Sequence, residues 1–121
     1  MSASLNMLSH EGNSQPFAAG QVIFKEGDPG EVMYFVVEGE VEISLGDRML
    51  NHVVQGGIFG EMALIDDAPR SATAVAKTDC RLIPISQRRF VFLVQSMPYF
   101  ALQVMSVMAE RLRRSLANSA A

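Results

Sequence analysis

The pattern of apolar and polar residues changes sharply at Phe17. Residues 1–16 are polar and rich in Ser and Asn, and they predict a loosely held arm with at most one helical turn around Leu5 to Leu8. From Phe17 onward, short apolar runs alternate with dense turn signals, such as the Glu-Gly-Asp-Pro-Gly segment at 26–30. Short runs at close, regular spacing are typical of strands in a small β-barrel or jelly roll.

Two of the runs indicate how their strands are buried. The run at 32–37 is apolar at both odd and even positions, which predicts a strand covered on both faces. In Glu40–Leu45 the apolar Val41, Ile43 and Leu45 alternate with polar residues, which predicts a half-buried antiparallel strand. Further strands are predicted at Val22–Phe24, 49–54, 72–76 and 81–85.

The carboxyl end has helical character. Ser86 is predicted to cap a helix over about 87–95, and Pro98 suits the first turn of a second helix that runs to about residue 116. An apolar stripe at alternating spacings of three and four follows the second helix, formed by Leu102, Met105, Ala109, Leu112 and Leu116. Its pattern leaves two roles open: packing on the protein's own barrel, or contact with the ligand or a second subunit.

The same helix carries arginines near its end. Arg111, Arg113 and Arg114 are predicted to form a solvated end, where positive charge is favourable to the helix dipole. We do not expect them to bind nucleic acid.

Composition narrows the class of protein. The 121 residues are 49% apolar and 19% charged, which is ordinary for one folded domain, and the net charge of −3 does not attract nucleic acid or anionic membranes. The single cysteine, Cys80, cannot form an internal disulfide. We see no secretion signal and no apolar stretch as long as a membrane span, and we predict a cytoplasmic protein.

Candidate chemistry is concentrated in residues 59–73, which interrupt the strands. A helix-prone turn at 61–65 follows Gly60, and the first amides of such a turn have no partner within it. Because Gly60 has no Cβ, a ligand oxygen can approach the backbone closely. This segment is therefore a candidate anion-binding site.

Two charged residues define the kind of anion. Arg70 is the only cation between Arg48 and Lys77, so a ligand with one negative charge fits better than ATP, and the P-loop Lys and Ser/Thr are absent. Glu61 would repel a phosphate and suits a ribose hydroxyl. The segment thus offers an acceptor for a sugar and donors for a phosphate.

These residues carry a resemblance to a known family. Phe-Gly-Glu-Met-Ala-Leu-Ile at 59–65, followed by Pro-Arg-Ser-Ala-Thr at 69–73, is similar to the phosphate-binding cassette of the cyclic-nucleotide-binding domain family. That family includes the regulatory subunits of protein kinase A, the catabolite activator protein and cyclic-nucleotide-gated channels. Residues 27–30, 33–34 and 37–39 resemble its earlier strands, and the similarity covers about residues 17–116.

The resemblance implies a ligand and a set of contacts. Glu61 would bind the ribose 2′-hydroxyl, Arg70 would pair with the cyclic phosphate, and Ser71 could contact phosphate or a guanine amine. The implied ligand is cyclic AMP, with cyclic GMP left open. The predicted ligand-binding residues are Phe59, Gly60, Glu61, Met62, Ala63, Arg70, Ser71 and Ala72.

The resemblance also implies the architecture. We expect a mainly β fold, an eight-stranded antiparallel β-barrel or jelly roll with a short phosphate-binding helix and C-terminal helices. The expected division is an arm at 1–16, a cyclic-nucleotide-binding domain at 17–116 with its β-roll at about 17–85 and helices at about 87–116, and a frayed tail at 117–121. Residues 1–16 depart from the family, which usually places a fuller helix there.

Other classes are weaker. A cupin-like metal site needs several converging ligands, and His10 and His52 are too few. No nucleophile motif is present, so we expect no catalysis, no cofactor and no metal. The predicted function is a regulatory module in which the nucleotide repositions the terminal helices, with a homodimer or an effector protein as possible partner. A fragment of a larger gated regulator, and an orphan barrel that binds no nucleotide, remain as alternatives.

Overall fold

A computed structural model describes residues 13–120 of the chain, with side chains to residue 117. The helical turn predicted around Leu5 to Leu8 and the histidine at position 10 lie outside the described residues. Within the described range the strands are β1 (Gln15–Phe17), β2 (Val22–Phe24), β3 (Val32–Glu38), β4 (Glu40–Leu45), β5 (Arg48–Val54), β6 (Ile58–Phe59), β7 (Thr73–Ala76) and β8 (Cys80–Ser86). The helices are α1 (Met62–Asp66), α2 (Gln87–Ser96) and α3 (Tyr99–Ala120).

The strands form two four-stranded sheets in which every pairing is antiparallel. One sheet has the order β1-β8-β3-β6 and the other β2-β7-β4-β5. This confirms the predicted mainly β, eight-stranded jelly roll with a short helix after β6 and two helices at the carboxyl end.

Two strands were not predicted from the sequence pattern. β1 pairs with β8 and begins inside the predicted polar arm, and β6 has only two residues, which pair with Tyr34 and Phe35 of β3. Strands this short contain too few residues to show an alternation, so only their long-range partners define them. The other predicted elements agree with the structure apart from shifts at their ends.

The buried face predicted for β4 is wrong at the carboxyl end of the strand. Val41 is fully buried, but Leu45, predicted on the same buried face, is 42% exposed. The register with β5 shifts between Ile43 and Ser44, and such a bulge turns the remainder of a strand away from the core.

The interior consists of two clusters of apolar side chains. One fills the barrel and contains Val36, Val41, Val53, Phe59, Ala74, Ala76, Cys80 and Leu82. The other joins the barrel to the helices and contains Met33, Phe35, Ile58, Leu64, Ile83, Ile85, Leu93, Phe100 and Val104. Because the second cluster takes residues from β3, β6, β8 and all three helices, the helices are integral to the core.

Aromatic rings line the barrel below the candidate site. Tyr34 stacks on Phe59 with ring centroids 5.2 Å apart, and Phe24 lies 5.9 Å from Phe59 and 6.3 Å from Tyr34. Rings at these separations interact favourably beyond the area they bury. The three rings therefore pack into one cluster, which we call the aromatic floor.

The two terminal helices begin as the sequence predicts. The Ser86 hydroxyl accepts a hydrogen bond from the Arg89 amide at 3.1 Å, which confirms the predicted N-cap of α2. Pro98 stands immediately before α3. α3 packs on the barrel through Phe100 and Val104, so the predicted apolar stripe is not its packing face.

The stripe faces outward over most of its length. Leu102, Met105, Leu112 and Leu116 are each more than half exposed. In the described part of the chain no single helix is long and apolar enough to cross a membrane; α2 and α3 reach that threshold only as a pair, and they are bent by 119° at their junction.

The structure predicts that Phe100 anchors α3. We expect Phe100→Ala to lower the free energy of unfolding by about 3–5 kcal/mol, because a fully buried ring is lost from a packed core. Tyr99→Ala is the matched control: its side chain is 72% exposed, so we expect a change within about 0.5 kcal/mol. Urea unfolding of both variants checks this, and equal losses would contradict the anchoring role.

Candidate functional site

A cavity of about 720 Å³ lies between the β6–β7 segment, the β4–β5 hairpin and α3. This volume is within the usual range for small-molecule sites. All eight predicted ligand-binding residues line it: Phe59, Gly60, Glu61, Met62, Ala63, Arg70, Ser71 and Ala72. The fold therefore brings the predicted residues together in one concave site.

The remaining walls come from parts of the chain that the sequence analysis did not assign to the site. β2 and the β4–β5 region contribute Phe24, Ile43, Arg48, Met49, Leu50 and Asn51, and α3 contributes Met108, Ala109, Arg111, Leu112, Arg114 and Ser115. They are far from the cassette in sequence, and only the fold brings them to it. The one available signal was the apolar stripe of α3, for which contact with the ligand was among the roles left open; its residues Ala109 and Leu112 line the cavity.

Gly60 occupies a position that a side chain would disturb. Its φ is +78°, in the left-handed region, and an added Cβ would lie 2.7 Å from Nη1 of Arg70. The turn into α1 therefore depends on glycine for its conformation and for its close approach to Arg70.

Arg70 is buried and is fixed from several sides. Nη1 donates to the Gly60 carbonyl at 3.0 Å and Nη2 to the Val32 carbonyl at 2.6 Å, while the guanidinium lies 4.1 Å above the ring centroid of Phe24. Its buried Nε has no acceptor among the described residues. A buried donor without a partner is costly, so the arrangement favours an acceptor-rich ligand.

The electrostatics of Arg70 agree with this geometry. Burial lowers the pKa of its guanidinium, while the acidic groups of Tyr34, Asp28 and Glu61 raise it. Burial raises the pKa of Tyr34, which the charge of Arg70 opposes. No carboxylate among the described residues forms an ion pair with Arg70, so an anion entering the cavity meets a desolvated cation.

Glu61 is buried as well, and its partner is a correction to the sequence analysis. Arg111 of α3 donates one hydrogen bond through Nη1 to Oε1 of Glu61 and another through Nη2 to the carbonyl of Ile58. Arg111 was predicted to lie in a solvated helix end, and that prediction is wrong. Neighbouring Arg113 and Arg114 are exposed, as predicted.

The exposed Arg114 still has partners at the rim of the cavity. It donates to Oδ1 of Asn51 at 2.9 Å and forms an ion pair with Glu110 at 3.0 Å. The contact with Asn51 joins α3 to β5. The helix therefore contacts the β4–β5 side of the cavity through Arg114 and the β6–β7 segment through Arg111.

α1 connects the cassette to the other helices. Leu64 is buried in the cluster that contains Leu93, Phe100 and Val104, and its carbonyl accepts a hydrogen bond from Nε2 of Gln87 at 2.9 Å. Met62 and Ile65 of the same helix are each more than half exposed, so the buried contact is made through Leu64.

The described histidine does not belong to the cavity. His52 lies within β5, and its Nδ1 is 3.1 Å from Oε2 of Glu40, which also pairs with Lys77. The hydrogen bonds from Lys77 and His52 lower the pKa of Glu40. Among residues 13–120 no group of three or more potential metal ligands is found.

Comparison with known proteins identifies the class. The family described as "Cyclic nucleotide-binding domain" matches residues 14–97. This range is more than half of the chain and contains the whole cassette. The chain belongs to the cyclic nucleotide-binding domain family.

Individual relatives agree with this class. The chain is similar to the cAMP-dependent protein kinase regulatory subunit of Colletotrichum orbiculare, with 40% identity over 64% of this chain and 20% of that protein. It is similar to the cyclic AMP receptor protein of Thermus thermophilus, with 35% identity over 82% of this chain and 48% of that protein. The chain thus spans less than half the length of these relatives.

A solved structure supports the fold. The crystal structure of the Thermus thermophilus catabolite activator protein has a TM-score of 0.80 to this chain, with 29% identity over 98% of this chain and 58% of that one. The match extends beyond the barrel and includes both terminal helices, of which α3 lines the cavity.

The close contact at Gly60 gives a testable prediction. Gly60→Ala and Gly20→Ala both place a side chain at positive φ, +78° and +88°, which costs about 1–2 kcal/mol. A Cβ at Gly20 meets open space, whereas one at Gly60 meets Arg70, so we expect Gly60→Ala to destabilise the protein more. Urea unfolding measures the difference; similar values for the two variants would show that Arg70 does not restrict this position.

Proposed function

We propose that this chain is a regulatory sensor module that binds cyclic AMP, with cyclic GMP as the second candidate. The observation that carries the proposal is one buried cation and one buried carboxylate in the same cavity, Arg70 and Glu61. Ligands named in the relatives, a cAMP-dependent kinase subunit and a cyclic AMP receptor, support this choice.

The cyclic phosphate binds Arg70. Nη1 and Nη2 each donate one of their two N–H groups to a backbone carbonyl, which leaves a second N–H on each for the phosphate oxygens. A single phosphodiester charge balances the single cation. Since Gly60 has no Cβ, the sugar-phosphate approaches the backbone of the turn directly.

The ribose hydroxyl binds Glu61. An ionised carboxylate only accepts hydrogen bonds and has room for about four, so a hydroxyl can donate to Glu61 beside Arg111. The apolar side chains of Met49, Leu50 and Leu112 line the rest of the cavity and suit a purine base. Ser71 is the residue that could favour guanine, since its hydroxyl lies in the lining and accepts from an amine.

Binding acts on the terminal helices and catalyses no reaction. Leu64 joins the cassette to α2 and α3 through the shared core, so an occupied cassette biases how the helices pack. We propose that the module acts in the cytoplasm and needs no cofactor or metal. Because the chain spans only part of its relatives, a larger regulator that contains it is compatible with this role.

The partner we propose is a second copy of this chain, bound through the outward stripe of α3. The stripe from Leu102 to Leu116 is about 21 Å long and repeats at coiled-coil spacing, and four of its five side chains are more than half exposed. Two such stripes are self-complementary, as a symmetric dimer requires.

The assignment of the site is tested by removing Arg70. We expect Arg70→Ala to weaken cyclic AMP binding by tens- to thousands-fold, about 2–5 kcal/mol, because the phosphate loses its desolvated counter-ion. The matched control is Arg81→Ala, an exposed arginine of β8 that lies outside this cavity. Calorimetric titration with cyclic AMP, cyclic GMP and 5′-AMP checks both.

Two results would contradict the assignment. Unchanged affinity in the Arg70 variant would move the phosphate elsewhere, and no heat with any cyclic nucleotide would favour an orphan barrel. Preference for cyclic GMP over cyclic AMP would correct the base but leave the site intact.

The proposed dimer has a separate test. We expect Leu102→Glu to convert the protein to a monomer, since a buried carboxylate without a partner opposes association. Arg88→Glu, at an exposed position of α2 outside the stripe, should leave the dimer intact. Sedimentation velocity at several concentrations measures this; a monomer for the unaltered protein, with or without cyclic AMP, would exclude the second copy as partner.

A further inference from the structure

Arg111 links the carboxyl-terminal helix directly to the candidate sugar site. It lies on α3, fifty residues after Glu61, and its two terminal nitrogens divide between the Glu61 carboxylate and the Ile58 carbonyl. Ile58 belongs to β6 and is fully buried, and Glu61 directly precedes α1. The guanidinium of Arg111 therefore binds both ends of the turn between β6 and α1.

The surroundings make this contact more than a surface ion pair. The side chain of Glu61 is 5% exposed and that of Arg111 28%, so both charges are largely withdrawn from water. A buried carboxylate needs a partner, and removing one member of such a pair leaves an uncompensated charge. Arg111 is thus the group that allows Glu61 to remain a buried acceptor.

We propose that Arg111 is a positioning residue for sugar recognition, which holds the Glu61 carboxylate toward the ribose hydroxyl and couples its occupancy to α3. The inference rests on the proposed function. The planar fork of arginine binds two acceptors in fixed directions, which fixes the side chain of Glu61 against the backbone of β6. A hydroxyl that binds Glu61 then shares the carboxylate with Arg111 of α3.

The contact could also act as a competitor that the nucleotide must displace, but burial argues against this. Displacement would leave the Arg111 fork without Glu61 while the carboxylate stays enclosed. A hydroxyl is neutral and cannot replace the positive charge. The two partners therefore stay together when a sugar binds, and α3 is held more firmly to the cassette.

The test compares cyclic AMP with 2′-deoxy-cyclic AMP, which lacks the hydroxyl that Glu61 would bind. In the unaltered protein we expect about 10- to 100-fold tighter binding of cyclic AMP, the value of a hydrogen bond to a charged group. We expect Arg111→Met to weaken cyclic AMP by a similar factor and to affect the deoxy analogue much less. The discrimination between the two ligands should then collapse.

Two controls separate positioning from folding. Arg113→Met changes an exposed arginine on the same helix that does not line the cavity, and should keep the full discrimination. Arg111→Lys keeps the charge without the planar fork and should recover only part of it. Urea unfolding identifies any variant that has lost its fold; if Arg111→Met is one, the Lys variant provides the comparison.

A second readout follows the helix itself. Hydrogen exchange of the amides at 104–117 should slow when cyclic AMP binds to the unaltered protein, and this change should be lost in the Arg111 variants. Equal weakening of both ligands, or tighter cyclic AMP binding without Arg111, would overturn the positioning role. If the unaltered protein binds neither nucleotide, the proposed function itself is wrong and the inference fails with it.

Discussion

Two opposite charges are buried a short distance apart in sequence, and much of the local structure exists to satisfy them. Arg70 is held by two carbonyls and an aromatic ring, and Glu61 by an arginine from the last helix. Neither charge neutralises the other in a direct ion pair. Under the proposed function each group binds a different part of the ligand, one anionic and one neutral. The glycine turn, the short helix α1 and the inward side of α3 all lie around these two groups.

The β architecture could be predicted because its longer strands carry their own signal. The apolar run at 32–37 and the alternation in Glu40–Leu45 indicate strands without any tertiary information. β1 and β6 could not be found this way, since two or three residues show no period and long-range pairing alone defines them. Leu45 failed for a related reason: a register shift depends on the partner strand, which the local pattern does not contain.

The site residues likewise fall into those that the local sequence predicts and those that only the fold reveals. The cassette is contiguous in sequence, so its eight residues could be predicted together, and they share one cavity in the structure. Arg111 was placed wrongly because a cation near a helix end normally stabilises the helix dipole in solvent. Nothing local distinguishes it from Arg113, two residues further along; the difference is which side of α3 faces β6. A contact across fifty residues requires the fold.

The aromatic floor beneath Arg70 has a consequence for how affinity is set. Phe24 supports the guanidinium directly, and Phe24 in turn rests on Tyr34 and Phe59, whose neighbours belong to the barrel interior. A change of side-chain volume among the interior residues behind these rings would tilt the guanidinium of Arg70 without altering any residue that lines the cavity. Under the proposed function, the affinity for the nucleotide can therefore drift through mutations in the hydrophobic interior, with every residue of the binding motif unchanged.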